Sequence, residues 1–326
     1  MIISRTPLRM SFVGGGSDIP SFYLKYGGAV ISTAINKYIY INVNKKFDDG
    51  IRIAYSKTEE VDSIEKVEHR LVKATMEVLD IKGGIEITSI ADIPSRGTGL
   101  GSSSSFTVGL LNALNAYNGK FSSSEYLGKE SCRIELDICK EPIGKQDQYA
   151  AAYGGFNLIE FNRNGDVKVS PIITKNETIL EIEENLLVFY TGLTRSASSI
   201  LKNQSDNLKN DSIKINNMAK MVDLTYLLLS SIQNNNTKAF GEILHENWVL
   251  KKGLSEGITN PFIDECYQIA LNSGAVGGKI LGAGAGGFLL FYAEKKNHKS
   301  IINSLSKLKL INFSFEKNGS QIIYYK

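Results

Sequence analysis

The chain has 326 residues, 42% of them hydrophobic and 22% charged, with a formal net charge of +3. That length suits two domains and the composition is that of ordinary globular proteins, while so small a charge excludes a dedicated nucleic-acid surface. Three cysteines, Cys132, Cys139 and Cys266, are too few for a disulfide framework and fit a reducing compartment. No run approaches the roughly 18 apolar residues of a membrane span, and Met1 to Arg5 do not begin a secretory signal. The expectation is a cytoplasmic protein with no membrane or nucleic-acid partner.

Residues 2–56 read mainly as strands and turns, because Ile39, Ile41 and Val43 alternate with Tyr38, Tyr40 and Asn42. Over 64–79 the period becomes helical, with Ile64, Val67, Leu71 and Val78 on one face and Gly83-Gly84 as a stop. A strand over 85–90 leads into a glycine-serine loop. A helix over 104–118 follows, carrying Phe106, Leu110, Ala113, Leu114 and Tyr117 on its apolar face. Ser122 and Glu125 form a capping-box pattern for a further helix that must end before Pro142.

The polar stretch 174–185 precedes the apolar strand Leu186–Tyr190, which places a domain boundary at 180/181, giving domains 1–180 and 181–326. Helical patterns fill 196–273, and Asn260 before Pro261 is a cap followed by a first-turn proline. The chain ends as strand 287–293, helix 297–309, and strands 311–316 and 321–325, with Asn318-Gly319 predicting a hairpin between the last two. The fold class is α+β, with a small sheet in the second half.

The run Gly97-Thr98-Gly99-Leu100-Gly101-Ser102-Ser103-Ser104-Ser105 carries the most chemistry. Glycines leave backbone N–H groups bare, and a helix directly behind adds a favourable dipole, so the segment is built to hold phosphates. Its place between a strand and an amphipathic helix is that of a phosphate loop and not of a linker. The serines add hydroxyl donors, one of which can ligate Mg²⁺. The G-x-x-x-x-G-K-[ST] pattern is absent, so this is a loop of another class.

With Pro94-Ser95-Arg96 before it, this run resembles the nucleotide motif of the galactokinase–homoserine kinase–mevalonate kinase–phosphomevalonate kinase (GHMP) superfamily, with Ser104 where that motif usually has alanine. Pro7-Leu8-Arg9-Met10-Ser11-Phe12-Val13-Gly14-Gly15-Gly16-Ser17-Asp18 resembles the superfamily's substrate motif, and Lys279-Ile280-Leu281-Gly282-Ala283-Gly284-Ala285-Gly286-Gly287 its third motif. Three motifs in order cover essentially the whole chain. The resemblance implies an N-terminal ribosomal-protein-S5-like domain, a C-terminal ferredoxin-like α+β domain, and ATP with Mg²⁺ as cofactors. Residues 282–287 also fit G-x-G-x-x-G, but the apolar run Phe288–Tyr292 behind them is a strand and not the helix that a dinucleotide site requires.

Phosphoryl transfer needs positioning, a metal ion, charge neutralisation and a group for the acceptor's proton. Pro142-Ile143-Gly144-Lys145-Gln146-Asp147-Gln148, followed by Tyr153-Gly154-Gly155, resembles the family segment that carries an Asp-Gln pair, which makes Asp147 the group that takes or orients the acceptor proton. Arg9 matches an arginine of the galactokinase motif. By resemblance to mevalonate kinases, Ser103 and Glu135 match the metal ligands, with one extra residue between Glu135 and Asp147 and with Asp137 as the competing carboxylate. His69, His245 and His298 lack metal-ligand spacing and read as structural.

Galactokinases carry Gly-Glu-His-Thr-Asp where this chain has Gly14-Gly15-Gly16-Ser17-Asp18. The triple glycine and its surroundings, on to Gly27-Gly28-Ala29-Val30, resemble the D-glycero-D-manno-heptose 7-phosphate kinases, which phosphorylate the anomeric hydroxyl on the way to nucleotide-activated heptose for surface polysaccharide. The resemblance implies a sugar phosphate and ATP as partners and a monomer or homodimer. Gly14, Gly15, Gly16, Ser17, Asp18 and Gly284 are then substrate residues, and Arg195 and Ser196, after a buried strand and opening a helix, are candidates for the remote phosphate. Other readings are a fucose, galactose or N-acetylhexosamine 1-kinase, a non-catalytic nucleotide-binding regulator, and an RNA-binding α+β module, which the weak charge disfavours.

Overall fold

Two long strands set the frame: β1 (Ile2–Val13) and β2 (Gly28–Lys45) pair antiparallel from Ile2↔Val43 to Val13↔Ile31. Pro7 cannot donate to a ladder, and the register shifts between Pro7 and Leu8. Bulges re-aim the side chains that follow them; Arg9, two residues on and paired with Ala34, sends its side chain to the site described below. A computed structural model describes residues 1–94, 97–193 and 197–326.

Between these strands lies α1 (Pro20–Tyr26), a helix opened by its proline in a region the sequence suggested was strand and turn. Then come β3 (Ile51–Ala54), β4 (Thr58–Val61), α2 (Arg70–Val78), β5 (Ile85–Ala91), α3 (Ser102–Tyr117) and α4 (Ser124–Cys132), the last capped by Ser123 one residue beyond the expected cap. A π-helical turn, Arg133–Ile138, continues α4 before α5 (Gln146–Tyr153), β6 (Phe156–Phe161), β7 (Val167–Pro171) and α6 (Asn176–Glu184). The second half holds β8 (Leu186–Tyr190), α7 (Ala197–Asn210), α8 (Ser212–Gln233), α9 (Lys238–Lys252), α10 (Pro261–Asn272), β9 (Gly277–Ile280), β10 (Phe288–Tyr292), α11 (Lys295–Ser304), β11 (Lys309–Leu310), β12 (Phe315–Glu316) and β13 (Gln321–Tyr325). Asn260 caps α10 by accepting from the Ile263 N–H, as its sequence requires.

The first sheet runs β13-β1-β2-β5-β3-β4, with β12 and β6 also on β2 and β7 on β6; the second is β11-β8-β10-β9. The polar stretch expected to divide the domains folds as α6, and the 180/181 boundary falls inside it. The Asn318-Gly319 hairpin does not form. β12 pairs with β2 and β13 with β1, so the chain returns to the first sheet on two different strands. Gly319 lies against the Ala152 carbonyl, and a Cβ on Gly154 would strike the Asn318–Gly319 backbone, so these residues make a close crossing over α5 instead.

α3 lies on β1 and β2, and its apolar side chains Phe106, Leu110, Ala113 and Leu114 join a core that also takes Leu186, Val188, Phe288 and Leu290 from the second sheet. A second core, around Phe189, Trp248, Tyr267 and Phe291, lies on that sheet's other face. All three cysteines are free and buried. Among the described residues no helix is long and apolar enough to cross a membrane.

Candidate active site

The glycine-serine loop enters α3 through alternating left-handed glycines: Gly97, Gly99 and Gly101 have φ of 68°, 78° and 74°. Side chains rarely adopt that backbone, so the residue type follows from the turn. Gly101 caps the helix without any side-chain hydrogen bond, which leaves first-turn N–H groups of α3 available to an anion. The loop is gripped from behind by the third motif. A Cβ on Gly99 would strike the Leu281 carbonyl, one on Gly282 would strike Gly99, and one on Gly287 would strike the Thr98 carbonyl.

A cavity of about 700 Å³ opens in front of the loop. Gly97, Thr98, Gly99, Gly101 and the serines 102–104 line one side of it, while Leu100 is buried and uses its carbonyl to accept from the Arg9 N–H at 3.1 Å. Gly15, Gly16 and Asp18 of the first motif line it too. Gly14 and Ser17 instead hold the turn: a Cβ on Gly14 would strike the Ala29 carbonyl, and Ser17 Oγ donates to that same carbonyl at 3.0 Å. Gly284 packs on Ile258, and its neighbours Gly282 and Ala283 are the ones facing the cavity. Arg195 and Ser196 lie outside the described residues.

The first turn of α5 joins these parts. Its three leading residues reach Asp18 and Arg9 of the first motif and Glu135. Gln146 donates to Asp18 from its backbone N–H at 3.1 Å and from Nε2 at 3.0 Å. Asp147 accepts two bonds of 2.8 Å from Arg9, from Nε to Oδ1 and from Nη2 to Oδ2. Gln148 donates to Glu135. A Cβ on Gly144 would strike the Asp18 carboxylate, which accounts for a glycine just ahead of the Asp-Gln pair. Arg9 also donates to the Gly99 carbonyl at 2.7 Å, so one guanidinium ties the substrate motif, the phosphate loop and Asp147 together. Asp147 retains unused lone pairs on the cavity side, where its side chain is 25% exposed against 4% for Arg9.

Glu135 sits on the π-helical turn and is fully buried. Its oxygens accept from Ser104 Oγ and Thr107 Oγ1, each at 2.7 Å, and from Gln148 Nε2. Burial pushes its carboxyl up to about 7, against those hydrogen bonds. The serine touching Glu135 is thus Ser104, while Ser103 is exposed on the loop's cavity face; Asp137 is exposed as well. A π turn accommodates one more residue than an α turn, so it has room for a surplus residue of the kind seen between Glu135 and Asp147. Among the described residues no three His, Cys, Asp or Glu side chains cluster as a metal site, and no cation pairs with Glu135.

Two buried lysines line the cavity, Lys279 at the head of the third motif and Lys251 outside all three motifs. Lys251, on α9, donates to the Gly282 carbonyl at 3.0 Å and to the Gly15 carbonyl at 3.4 Å; burial pushes its ammonium down to about 8, with Asp18 the main opposing influence. Lys279, on β9, donates to the Ser11 and Phe12 carbonyls at 2.8 and 3.0 Å, and burial with two neighbouring cations drives it well below the usual lysine range. At the far end of the cavity His69 stacks on Phe106 at 5.0 Å, with Tyr55 edge-on at 4.7 Å. His245 and His298 bond Tyr267 and the Ala293 carbonyl, away from the cavity.

Residues 67–155 match the GHMP kinases N terminal domain and residues 228–309 match GHMP kinases C terminal. Over 98% of this chain and 97% of its own length, a D-glycero-alpha-D-manno-heptose 7-phosphate kinase from Campylobacter jejuni is 32% identical. The chain belongs to the GHMP kinase family. A galactokinase from Pyrococcus furiosus is 26% identical over 97% of the chain and 95% of its own length. The crystal structure of a D-glycero-D-manno-heptose 1-phosphate kinase from Bacteriodes thetaiotaomicron superposes with a TM-score of 0.81 at 25% identity, covering 99% of both chains. These likenesses bear out the α+β, two-domain GHMP fold expected from the three motifs. GHMP kinases are ATP-dependent.

Proposed function

We propose that this kinase transfers the γ-phosphoryl group of ATP to the anomeric hydroxyl of D-glycero-D-manno-heptose 7-phosphate, giving the 1,7-bisphosphate and ADP. The observation that carries the reading is the Arg9–Asp147 pair, set beside the bare helix N-terminus and facing the triple-glycine motif in one cavity. A heptose 7-phosphate kinase is 32% identical over nearly the whole chain, which favours that substrate over fucose, galactose or an N-acetylhexosamine.

The phosphates of ATP lie on the N–H groups of loop 97–101 and the start of α3, and the aromatic end formed by Tyr55, His69 and Phe106 takes the base. The acceptor hydroxyl faces Asp147. Its oxygen forms the new P–O bond, the bond from the γ-phosphorus to the bridging oxygen breaks, and its proton passes to Asp147. An anomeric hydroxyl is more acidic than an ordinary alcohol, which suits a carboxylate acceptor. Arg9 keeps Asp147 oriented and offsets charge beside the transferring group.

Glu135 fits a metal role: a buried carboxylate with only neutral partners lacks a compensating cation. Glu135 with the hydroxyl of Ser103 or Ser104 would hold Mg²⁺, which needs few protein oxygens and offsets the charge of the ATP phosphates. The test is a panel of sugars with and without a terminal phosphate, assayed for ADP release. Turnover confined to sugars without a phosphate would reassign the acceptor, and ATP binding with no turnover on any sugar would favour the regulator reading.

A further inference from the structure

Lys251 is a buried cation that the motifs do not explain. Only 4% of it is exposed, and its two hydrogen bonds go to backbone carbonyls, Gly15 of the first motif and Gly282 of the third. Neutral carbonyls do not neutralise an ammonium, so burying it is costly unless a partner completes the site. Across the triple glycine lies Asp18, also buried, whose carboxylate accepts from the Gly16 N–H at 3.0 Å and twice from Gln146. The two line the same cavity, and Asp18 favours the charged form of Lys251, yet among the described residues no ion pair joins them.

Hydrogen-bond capacity defines what belongs between them. An ammonium has three N–H donors, and two are used. A carboxylate has about four acceptor positions, and three are used. One donor and one acceptor therefore remain in the same cavity, which the bare Gly15–Gly16 backbone also lines. A hydroxyl serves both at once, accepting from one and donating to the other. A phosphate cannot, because it would set its charge against Asp18. Gly15 keeps the space open. A Cβ there would come within 3.6 Å of Lys251 Nζ and 3.4 Å of Ser11 Oγ, a buried hydroxyl that bonds no described residue. Gly16 must also stay bare, having a φ of +106° and Gln204 Nε2 within 2.3 Å of where a Cβ would sit.

We propose that Lys251 is a specificity-determining residue that, with Asp18, holds one hydroxyl of the sugar acceptor, the hydroxyl accepting from Nζ and donating to the carboxylate. This rests on the sugar-kinase reading above. The bridge sits one step from Asp147, so it fixes the sugar ring relative to the group that takes the acceptor proton.

The test uses Lys251→Met and Lys251→Gln in the full chain, the second keeping a donor for the carbonyls if the first fails to fold. KM for D-glycero-D-manno-heptose 7-phosphate rises about tenfold to a hundredfold in Lys251→Met, as expected for a charge-assisted hydrogen bond. Binding of ATP, measured calorimetrically without sugar, changes less than about twofold. Among monodeoxy heptose 7-phosphates, one costs the parent enzyme more activity than it costs Lys251→Met, in which only the bond to Asp18 is left to lose. If every analogue loses the same factor in parent and variants, or if ATP affinity falls while the sugar KM holds, Lys251 does not contact the acceptor. Failure of the parent enzyme to phosphorylate any sugar is a different result: it removes the sugar-kinase reading itself.

Discussion

Replacing Gly99 by alanine probes how the phosphate loop is held. Gly99 has a φ of 78°, where an alanine costs about 1–2 kcal/mol. Its Cβ would also overlap the Leu281 carbonyl and come within 3.3 Å of the Gly282 nitrogen. Both are backbone atoms of a turn that is itself pressed on the loop, so neither yields as a flexible side chain would, and overpacking of this kind costs about 1–3 kcal/mol. The sum is a destabilisation of roughly 2–5 kcal/mol. Gly119 supplies the control: its φ is 71° and a Cβ there meets nothing within 4 Å, so Gly119→Ala carries the backbone cost alone. Urea unfolding of the two variants reads the difference, and calorimetric ATP titration reads the loop. Gly99→Ala must be the less stable of the pair and must weaken ATP binding, while Gly119→Ala leaves ATP affinity unchanged. Equal stability and equal ATP affinity would refute the idea that backbone contact between the second and third motifs shapes the phosphate loop.

Asp147→Asn lowers kcat by about a hundredfold to ten-thousandfold with ATP affinity retained, in steady-state assays beside calorimetry; a kcat within threefold of the parent would remove Asp147 from the proton transfer. Glu135→Gln abolishes the tightening of ATP binding by Mg²⁺ while binding of metal-free ATP is kept, a comparison calorimetry makes directly; if the Mg²⁺ effect survives, the metal is held elsewhere. Lys251 is protonated below its displaced value of about 8 and neutral above it, with Asp18 and Asp147 favouring the charged form and Arg9 opposing it. The kcat/KM for sugar therefore falls as pH rises through about 8, toward the level of Lys251→Met, whose own profile lacks that step; an unchanged step in the variant assigns the titration to another group.

The sequence was most legible where chemistry constrains the backbone. A glycine at each alternate place of the phosphate loop is required by φ, and glycines in the third motif by contact with that loop, so both motifs stand out locally. Lys251 does not, because it lies outside the motifs and residue type alone does not separate Lys251 from Lys252. Helical period does carry a signal: Phe240, Leu244, Asn247 and Trp248 form the buried face of α9, and Lys251 falls on the same stripe while Lys252 does not. Pairing of Glu135 with Ser104 and not Ser103 turns on one residue of helical phase and on a π turn, neither of which the motif fixes. The false hairpin at Asn318-Gly319 has a related cause. The turn signal is local, whereas the edges that β12 and β13 satisfy belong to strands some 280 to 320 residues earlier in the chain.

The decisive assay is ³¹P NMR of the purified protein with ATP, Mg²⁺ and D-glycero-D-manno-heptose 7-phosphate. The proposed activity predicts a second phosphate resonance, from a phosphate on the anomeric carbon, growing in step with ADP and lost in Asp147→Asn. No new anomeric phosphate, with turnover on fucose, galactose or an N-acetylhexosamine in its place, would contradict it.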